Sequence, residues 1–328
     1  MSAGSRDGAA PLSGLGESLF TRGGVRLDRG VEFSVAALNE DCSLSLGRVS
    51  ISKLIAPIVV IPVHKLHPTP DETVSIRQCA KVFRDKKIAF LAPERLSLQT
   101  YFSLIPCASE FRVSGKWMDS IDSYNRLMIS MEFYKLLNNY THLLIHEPDA
   151  IVVRDELDSW CVQEIDFIGA PWFEGLTRAK YKYDAYPIGV GNFGLSLIRL
   201  AAAQDVLKST NRWYTFHKIP RDFLKGVLGS RSALRRSLLG LGVGGELRNA
   251  CHFYGGNCDI FWCCTVPENF KGFRVASIEQ ALKFSWEVLP RRCAELTNGA
   301  LPFGFHAWAK YDRAFLTSLL ESIGVEFN

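Results

Sequence analysis

The chain has 328 residues, 47% of them hydrophobic and 22% charged, and a formal net charge of +4 at pH 7. That is globular composition, with length for one large α/β domain or two modest ones, and it excludes a fibrous or wholly disordered chain. So small a charge gives no argument for nucleic acid, although an anionic substrate or a loose peripheral membrane contact is compatible with it.

The nine cysteines contain no C-x-x-C pair and no zinc-ligand spacing. Free thiols in a reducing compartment are expected rather than a disulfide scaffold. No apolar run reaches the ~18 residues of a spanning helix. The N-terminus lacks the charged start and apolar core of a secretory signal. A cytoplasmic protein is the simplest expectation.

Residues 1–20 are rich in Gly, Ser and Ala and are expected to be disordered. Residues 21–55 read as an N-terminal extension with scattered alternation. Order begins near Ala56. Pro57 to Val63 reads as a first buried strand, with His64 and Lys65 at its carboxyl end. Thr69-Pro70-Asp71-Glu72 has the form of a helix start, with Thr69 as N-cap and Pro70 at the first helical position. This helix is expected to run to about Phe83. Lys87 to Leu91 reads as a second strand that leads to Glu94. The order suggests a right-handed βαβ unit, in which ligands bind at strand carboxyl ends. His64, Lys65 and Glu94 stand at those ends. Phe111 to Val113 reads as a third short strand, and Ser120 to Leu137 as one helix.

The most unusual stretch is Thr141 to Val153. Leu143-Leu144-Ile145 reads as a strand buried on both faces. Glu147 and Asp149 follow, separated by Pro148, which has a fixed φ and no N–H. Unpaired carboxylates at the end of a buried strand would be costly. One reading is a turn in which Asp149 bonds backbone N–H groups. The other is a D-x-D-like site, where carboxylate oxygen and a diphosphate share Mg²⁺ or Mn²⁺.

Further on, Asp155 reads as the cap of a helix through Trp160. Asp166-Phe167-Ile168-Gly169 reads as a short strand, followed by Ala170-Pro171-Trp172. In Gly189-Val190-Gly191-Asn192-Phe193-Gly194 the glycines permit either a close backbone approach to a ligand or a tight bulged turn. A strand follows them, so this is not a dinucleotide fingerprint. A helix is expected from Arg199 to about Leu207. Residues 211–250 form a basic segment, read as a solvated face or as a patch for an anionic acceptor or a membrane surface. Asp259 is either a helix cap or a base at the mouth of a site. His306 is either a satisfied, half-buried histidine or a metal ligand. A C-terminal helix is expected from Tyr311 to about Ser322.

Several of these stretches are similar to a glycosyltransferase-like family long catalogued as a domain of unknown function and found in bacteria and fungi. They include Val60-Ile61-Pro62-Val63-His64-Lys65, Tyr124-Asn125-Arg126-Leu127-Met128 and Ile145-His146-Glu147-Pro148-Asp149-Ala150. Asp166 to Trp172, Val190 to Leu197, Ala281-Leu282-Lys283-Phe284-Ser285 and Pro302 to Trp308 follow in the family's order.

The resemblance implies an α/β, GT-A-like fold: a Rossmann-type mixed sheet flanked by helices. It implies one domain over 56–322, with a nucleotide-binding half at 56–172 and an acceptor-binding half at 173–322. It implies a metal-dependent glycosyltransferase that takes a sugar from a nucleotide-sugar donor to a glycan or glycolipid acceptor, as in polysaccharide biosynthesis. The alternatives are a catalytically degenerate sugar-nucleotide-binding module and a nucleotidyltransferase. Asp149 would be the metal-binding acid, Glu147 would meet ribose or metal, and His306 would be a further ligand for Mn²⁺ or Mg²⁺. Asp259 would be the catalytic base, with inversion as the outcome.

The donor set would be His64, Lys65, Glu94, Glu147, Asp149, Gly191, Asn192 and Gly194. The acceptor set would be Trp172, Phe193, Asn257 and Trp308, with core packing open for both tryptophans. Two departures stand out. The family's Gly-Asn-Gly-Gly reads Gly191-Asn192-Phe193-Gly194, and its Asn-Glu-Asp reads Asn257-Cys258-Asp259. Phe193 would narrow the acceptor site.

Overall fold

The computed structural model describes residues 55–176, 182, 184–213, 224, 228–229 and 250–327. The expected tail at 1–20, almost all of the extension at 21–55 and most of the basic segment at 211–250 lie outside the described residues.

Strand β1 (Pro57–Pro62) is apolar on both sides, as buried parallel strands are. Helix α1 (Pro70–Val82) starts at a reciprocal capping box: the Thr69 hydroxyl accepts from the Glu72 N–H, and the Glu72 carboxylate accepts from the Thr69 N–H. Strand β2 (Lys87–Pro93), helix α2 (Gln99–Leu104) and strand β3 (Ser109–Val113) follow. The helix expected over 120–137 is two helices, α3 (Ile121–Leu127) and α4 (Met131–Leu136). Ser130 divides them, because its side chain caps α4 by accepting from the Phe133 N–H.

Strand β4 (His142–His146) is wholly buried, and β5 (Ile151–Val152) follows it closely. Then come α5 (Leu157–Cys161), β6 (Phe167–Ile168), β7 (Ala170–Phe173), β8 (Pro187–Gly191), β9 (Leu195–Arg199) and α6 (Leu200–Trp213). Strands β10 (Ser285–Trp286) and β11 (Gly304–Phe305) lie near the C-terminus, and a last helix spans Arg313–Ser322.

The main sheet has the order β3-β2-β1-β4-β9-β6. Strands β1 to β4 are parallel, whereas β9 is antiparallel to both β4 and β6. This is the expected mixed α/β architecture. Side chains alternate across the sheet. Val59 and Ile61 face Ile76, Cys79 and Phe83 of α1, while Ile58 and Val60 share the other core with Leu127, Phe133 and Val206. Helices therefore cover both faces. The eight described cysteines are all free. Among the described residues no helix is long and apolar enough to cross a membrane.

The strand order reverses between β1 and β4, since β2 and β3 build outward on one side of β1 and β4 lies on the other. A crevice opens at the carboxyl ends of strands at such a switch point. His64 follows β1 there, and Glu147 follows β4. A second sheet, β10-β11-β5, adjoins the same corner. The segment from 147 to 150 is the bend by which the chain leaves one sheet for the other.

The far edge is pinned by Asp166, which is 1% exposed. Its carboxylate accepts from the Arg199 guanidinium and from the Arg274 N–H at 2.8 Å. Removing one partner of a buried pair is costly, and part-exposure of Arg199 softens the loss. Asp166→Ala is expected to destabilise the fold by about 3 kcal/mol in urea unfolding; a cost below about 1 kcal/mol would contradict this account.

Candidate active site

The acidic turn is built by local geometry. The Ala150 N–H donates to the Glu147 carbonyl at 2.8 Å, closing a β-turn with Pro148 at its second position, where a fixed φ is favoured. The Glu147 N–H donates to the Gly194 carbonyl at 2.7 Å, continuing the β4–β9 pairing past the end of the strand. Both carboxylates are thereby presented at the crevice.

His306 reaches the same place from the far end of the chain. Strand β11 pairs with β5 in the register Gly304↔Val152 and Phe305↔Ile151, so the next residue arrives beside the acidic turn. The imidazole Nε2 lies 3.4 Å from Glu147 Oε2 and 3.5 Å from Asp149 Oδ1. One ligand atom from each of Glu147, Asp149 and His306 falls within 4.8 Å of the others. Ala307 follows with φ 47°, a left-handed conformation that costs a non-glycine residue about 1 kcal/mol or more. Strain of this kind next to a convergent polar cluster is a mark of functional sites.

Electrostatics follow from the crowding of charge. Burial by itself would lower the His306 pKa. The Glu287 charge, with Asp149 and Glu147, overcomes this and holds the imidazole well above its ordinary value. Burial raises the Asp149 carboxyl, but its contact with His306 outweighs burial and leaves it below the usual range. Asp259 is raised by burial first, opposed by the Ile260 N–H, which donates to Oδ1 at 2.7 Å. The charges of Glu287 and Glu147 raise it further, although Asp259 is not among the residues that line the neighbouring cleft. The Tyr124 hydroxyl is buried beside Glu147 without a well-formed hydrogen bond, and its pKa is raised well above the phenolic value.

A cleft of about 530 Å³ opens over this cluster, and His64, Lys65, Tyr124, Glu147 and Asp149 are among its walls. Lys65 is already paired with Glu72 at 2.8 Å. Glu94 is exposed beyond the end of β2 and does not line the cleft.

The glycine stretch has a packing role within the protein itself. A Cβ on Gly194 would sit 2.0 Å from His306 Nε2, and a Cβ on Gly191 would sit 2.1 Å from the Trp172 ring. These glycines make room for protein rings. Asn192 takes φ 57°, which Asn tolerates, and its Oδ1 accepts from Trp172 Nε1 at 2.9 Å. Trp172 remains partly exposed, and Asn257 is exposed.

Two acceptor assignments are corrected. Phe193 is 6% exposed and stacks on Phe167, so it fills the core and does not narrow a binding site. Trp308 is fully buried and donates from Nε1 to the Ser75 hydroxyl at 2.8 Å. Sequence reasoning also missed residues. Glu287 lies 3.1 Å from His306 Nδ1, and Asn125 Oδ1 accepts from the Cys258 N–H at 2.8 Å at the start of the helix that carries Asp259. For Glu287 the available signal was position, two residues beyond the Ala281–Ser285 stretch.

Residues 109–306 match the model of a family described as Protein of unknown function (DUF5672). The chain belongs to this family. No curated protein matches the sequence. Among solved structures, this DUF5672 chain is similar to the galactosyltransferase LgtC in complex with donor and acceptor sugar analogs, at 13% identity over 82% of this chain and 97% of that one, TM-score 0.41. It is similar to core-mannan synthase A from Aspergillus fumigatus in its Mn/GDP form, at 10% identity over 62% and 70%, TM-score 0.34. For the mannosyltransferase Ktr4p from S. cerevisiae the figures are 15% identity over 36% of this chain, TM-score 0.29, and the match spans only 39% of that protein.

Two expectations follow from the packing and the charges. Gly194→Ala should destabilise the protein by about 1–3 kcal/mol through overpacking against His306. Gly189→Ala, whose Cβ would meet only the Trp172 ring at 3.7 Å, should be close to neutral. Equal melting temperatures for the two variants would refute the ring-packing account. In chelator, the stabilisation from the raised His306 pKa is complete below its ordinary value of 6.5 and is lost as pH rises through the folded-state value. Stability should therefore decline above neutrality, and His306→Gln should flatten that decline in denaturant titrations across pH.

Proposed function

We propose that this protein is a divalent-metal-dependent glycosyltransferase that moves a sugar, with inversion, from a nucleotide-sugar donor to a hydroxyl of a glycan or glycolipid acceptor. The observation that carries this reading is the convergence of Glu147, Asp149 and His306 at the switch-point crevice.

The donor set fits such a cation. Ligands at right angles around an ion with bonds of ~2.1 Å lie about 3 Å apart. The Nε2 to carboxylate separations of 3.4 and 3.5 Å are close to that spacing. Two carboxylates and an imidazole suit Mn²⁺ at least as well as Mg²⁺. A bound divalent cation would neutralise charge growing on the departing nucleoside diphosphate.

The protein's own groups supply the rest. His64 and Lys65 stand on the cleft wall where a nucleotide would lie, and a diphosphate would compete with Glu72 for the Lys65 ammonium. Asp259, kept basic by burial and by neighbouring carboxylates, would take the proton of the acceptor hydroxyl. The Ile260 N–H and the Asn125–Cys258 bond hold the segment that presents it. Direct attack assisted by one base gives inversion.

A thermal-shift screen of nucleoside diphosphates with and without Mn²⁺ tests the reading. A rise in melting temperature that needs both components is expected, since ligands that bind only the native state stabilise it by mass action. With a turned-over donor, Asp259→Asn should lower kcat about 10²- to 10⁴-fold and leave diphosphate binding intact. Release of pyrophosphate in place of a nucleoside diphosphate would instead establish a nucleotidyltransferase.

A further inference from the structure

We infer that Glu287 is a positioning residue for His306: it fixes the imidazole through Nδ1 so that Nε2 is presented, unprotonated, to a divalent cation shared with Glu147 and Asp149. This rests on the metal-dependent reading above.

The placement is dictated by backbone pairing. Strands β10 and β11 are parallel in the register Trp286↔Phe305, and the His306 N–H donates to the Trp286 carbonyl at 2.9 Å. The residues that follow the two strands, Glu287 and His306, are therefore neighbours by construction. Glu287 Oε2 lies 3.1 Å from Nδ1, with side-chain exposures of 10% and 14%. The two atoms are within hydrogen-bonding distance but not aligned for a well-formed bond, and neither has a hydrogen-bond partner among the described residues. A carboxylate so buried is costly unless a donor meets it, and the imidazole Nδ1 at 3.1 Å is placed to do so, with the Lys310 ammonium within Coulombic reach.

Four neighbours fix the ring. Gly194 lies against it with no Cβ, Glu287 faces Nδ1, and Glu147 and Asp149 face Nε2. The two nitrogens are thus given different tasks. A proton kept on Nδ1 and donated to a carboxylate leaves the Nε2 lone pair for the cation and makes it a better donor.

The test is a two-by-two set of full-length proteins: wild type, Glu287→Gln, His306→Ala and the double variant. Mn²⁺ alone is titrated into each and followed by electron paramagnetic resonance. Glu287→Gln is expected to weaken Mn²⁺ binding about 10- to 100-fold, the usual cost of losing the carboxylate behind a ligating histidine. In the His306→Ala background the same change should alter affinity less than about two-fold, because its route is gone. Unchanged affinity in the first comparison, or equal losses in both backgrounds, would overturn the inference while leaving the metal reading in place. Failure of the wild type to bind Mn²⁺ would remove both.

Should Glu287→Gln not fold, ¹⁵N-histidine spectra of the wild type with diamagnetic Cd²⁺ decide the matter. A proton retained on Nδ1 with Nε2 shifted by the cation supports the assignment, and a cation on Nδ1 ends it.

Discussion

Three carboxylates, those of Glu147, Asp149 and Glu287, surround one imidazole, and their mutual repulsion is relieved by positive charge on that ring or on a cation in its place, with the Lys310 ammonium adding to it. The rest of the site follows from this constraint. The acidic turn must stand at the end of β4, and the imidazole must arrive from β11 in fixed register. A backbone without a Cβ must lie beneath it, which Gly194 provides. The second sheet is small, yet it joins residues on either side of the chain's middle to one point. Its two-residue strands have little intrinsic stability, so their register depends on packing around Trp286, Phe305 and Trp308. The aromatic residues near the C-terminus are thus tied to the site through the strands they anchor, even though Trp308 itself is buried in the core.

The same constraint explains why the site lies at the switch point. Between β1 and β4 the strand order reverses and the connecting segments diverge, which opens a crevice at the strand ends. Charges gathered there meet solvent from one side and the apolar core from the other. Tyr124 and Asp259 feel the core side, which raises both, whereas Asp149 is brought down by the imidazole. Carboxyl groups in one cluster are pushed in opposite directions, so that Asp149 stays ionised and Asp259 becomes more basic. Divergence of that kind separates a ligand from a proton acceptor.

Much of this was legible in the sequence where one local rule dominates. Strands β1, β2 and β4 were readable because they are buried on both faces and carry unbroken apolar runs. The start of α1 was readable because Thr69, Pro70 and Glu72 are a complete capping signal. The residues Glu147, Asp149 and His306 stood out because charged or ionisable groups interrupted apolar surroundings. What could not be read was long-range pairing. Strands β5, β10 and β11 are too short to show a period, so Glu287 had no visible partner. Apolar periodicity runs across 120–137 and masks the cap at Ser130 that divides it. Phe193 and Trp308 were misplaced because an aromatic residue beside glycines reads alike whether it faces a sugar or a core.

The two departures from the family pattern can now be judged by where they fall. Cys258 replaces a carboxylate at a position that is 2% exposed, within the Coulombic reach of Asp259 and Glu147. A glutamate there would be a further negative charge in a place already crowded with them. A thiol held neutral by burial occupies it without adding charge, and its N–H is bound by Asn125. Phe193 replaces glycine where its ring can stack against Phe167 beneath the β9 edge of the sheet. Both changes act on the apolar side of the segments that carry Asp259 and Gly194. Glu147 and Asp149 line the cleft, and His306 and Asp259 stand beside them unchanged by either departure. Substitutions confined to the buried side alter how these segments are supported, and they leave intact the charges on which the proposed reaction depends.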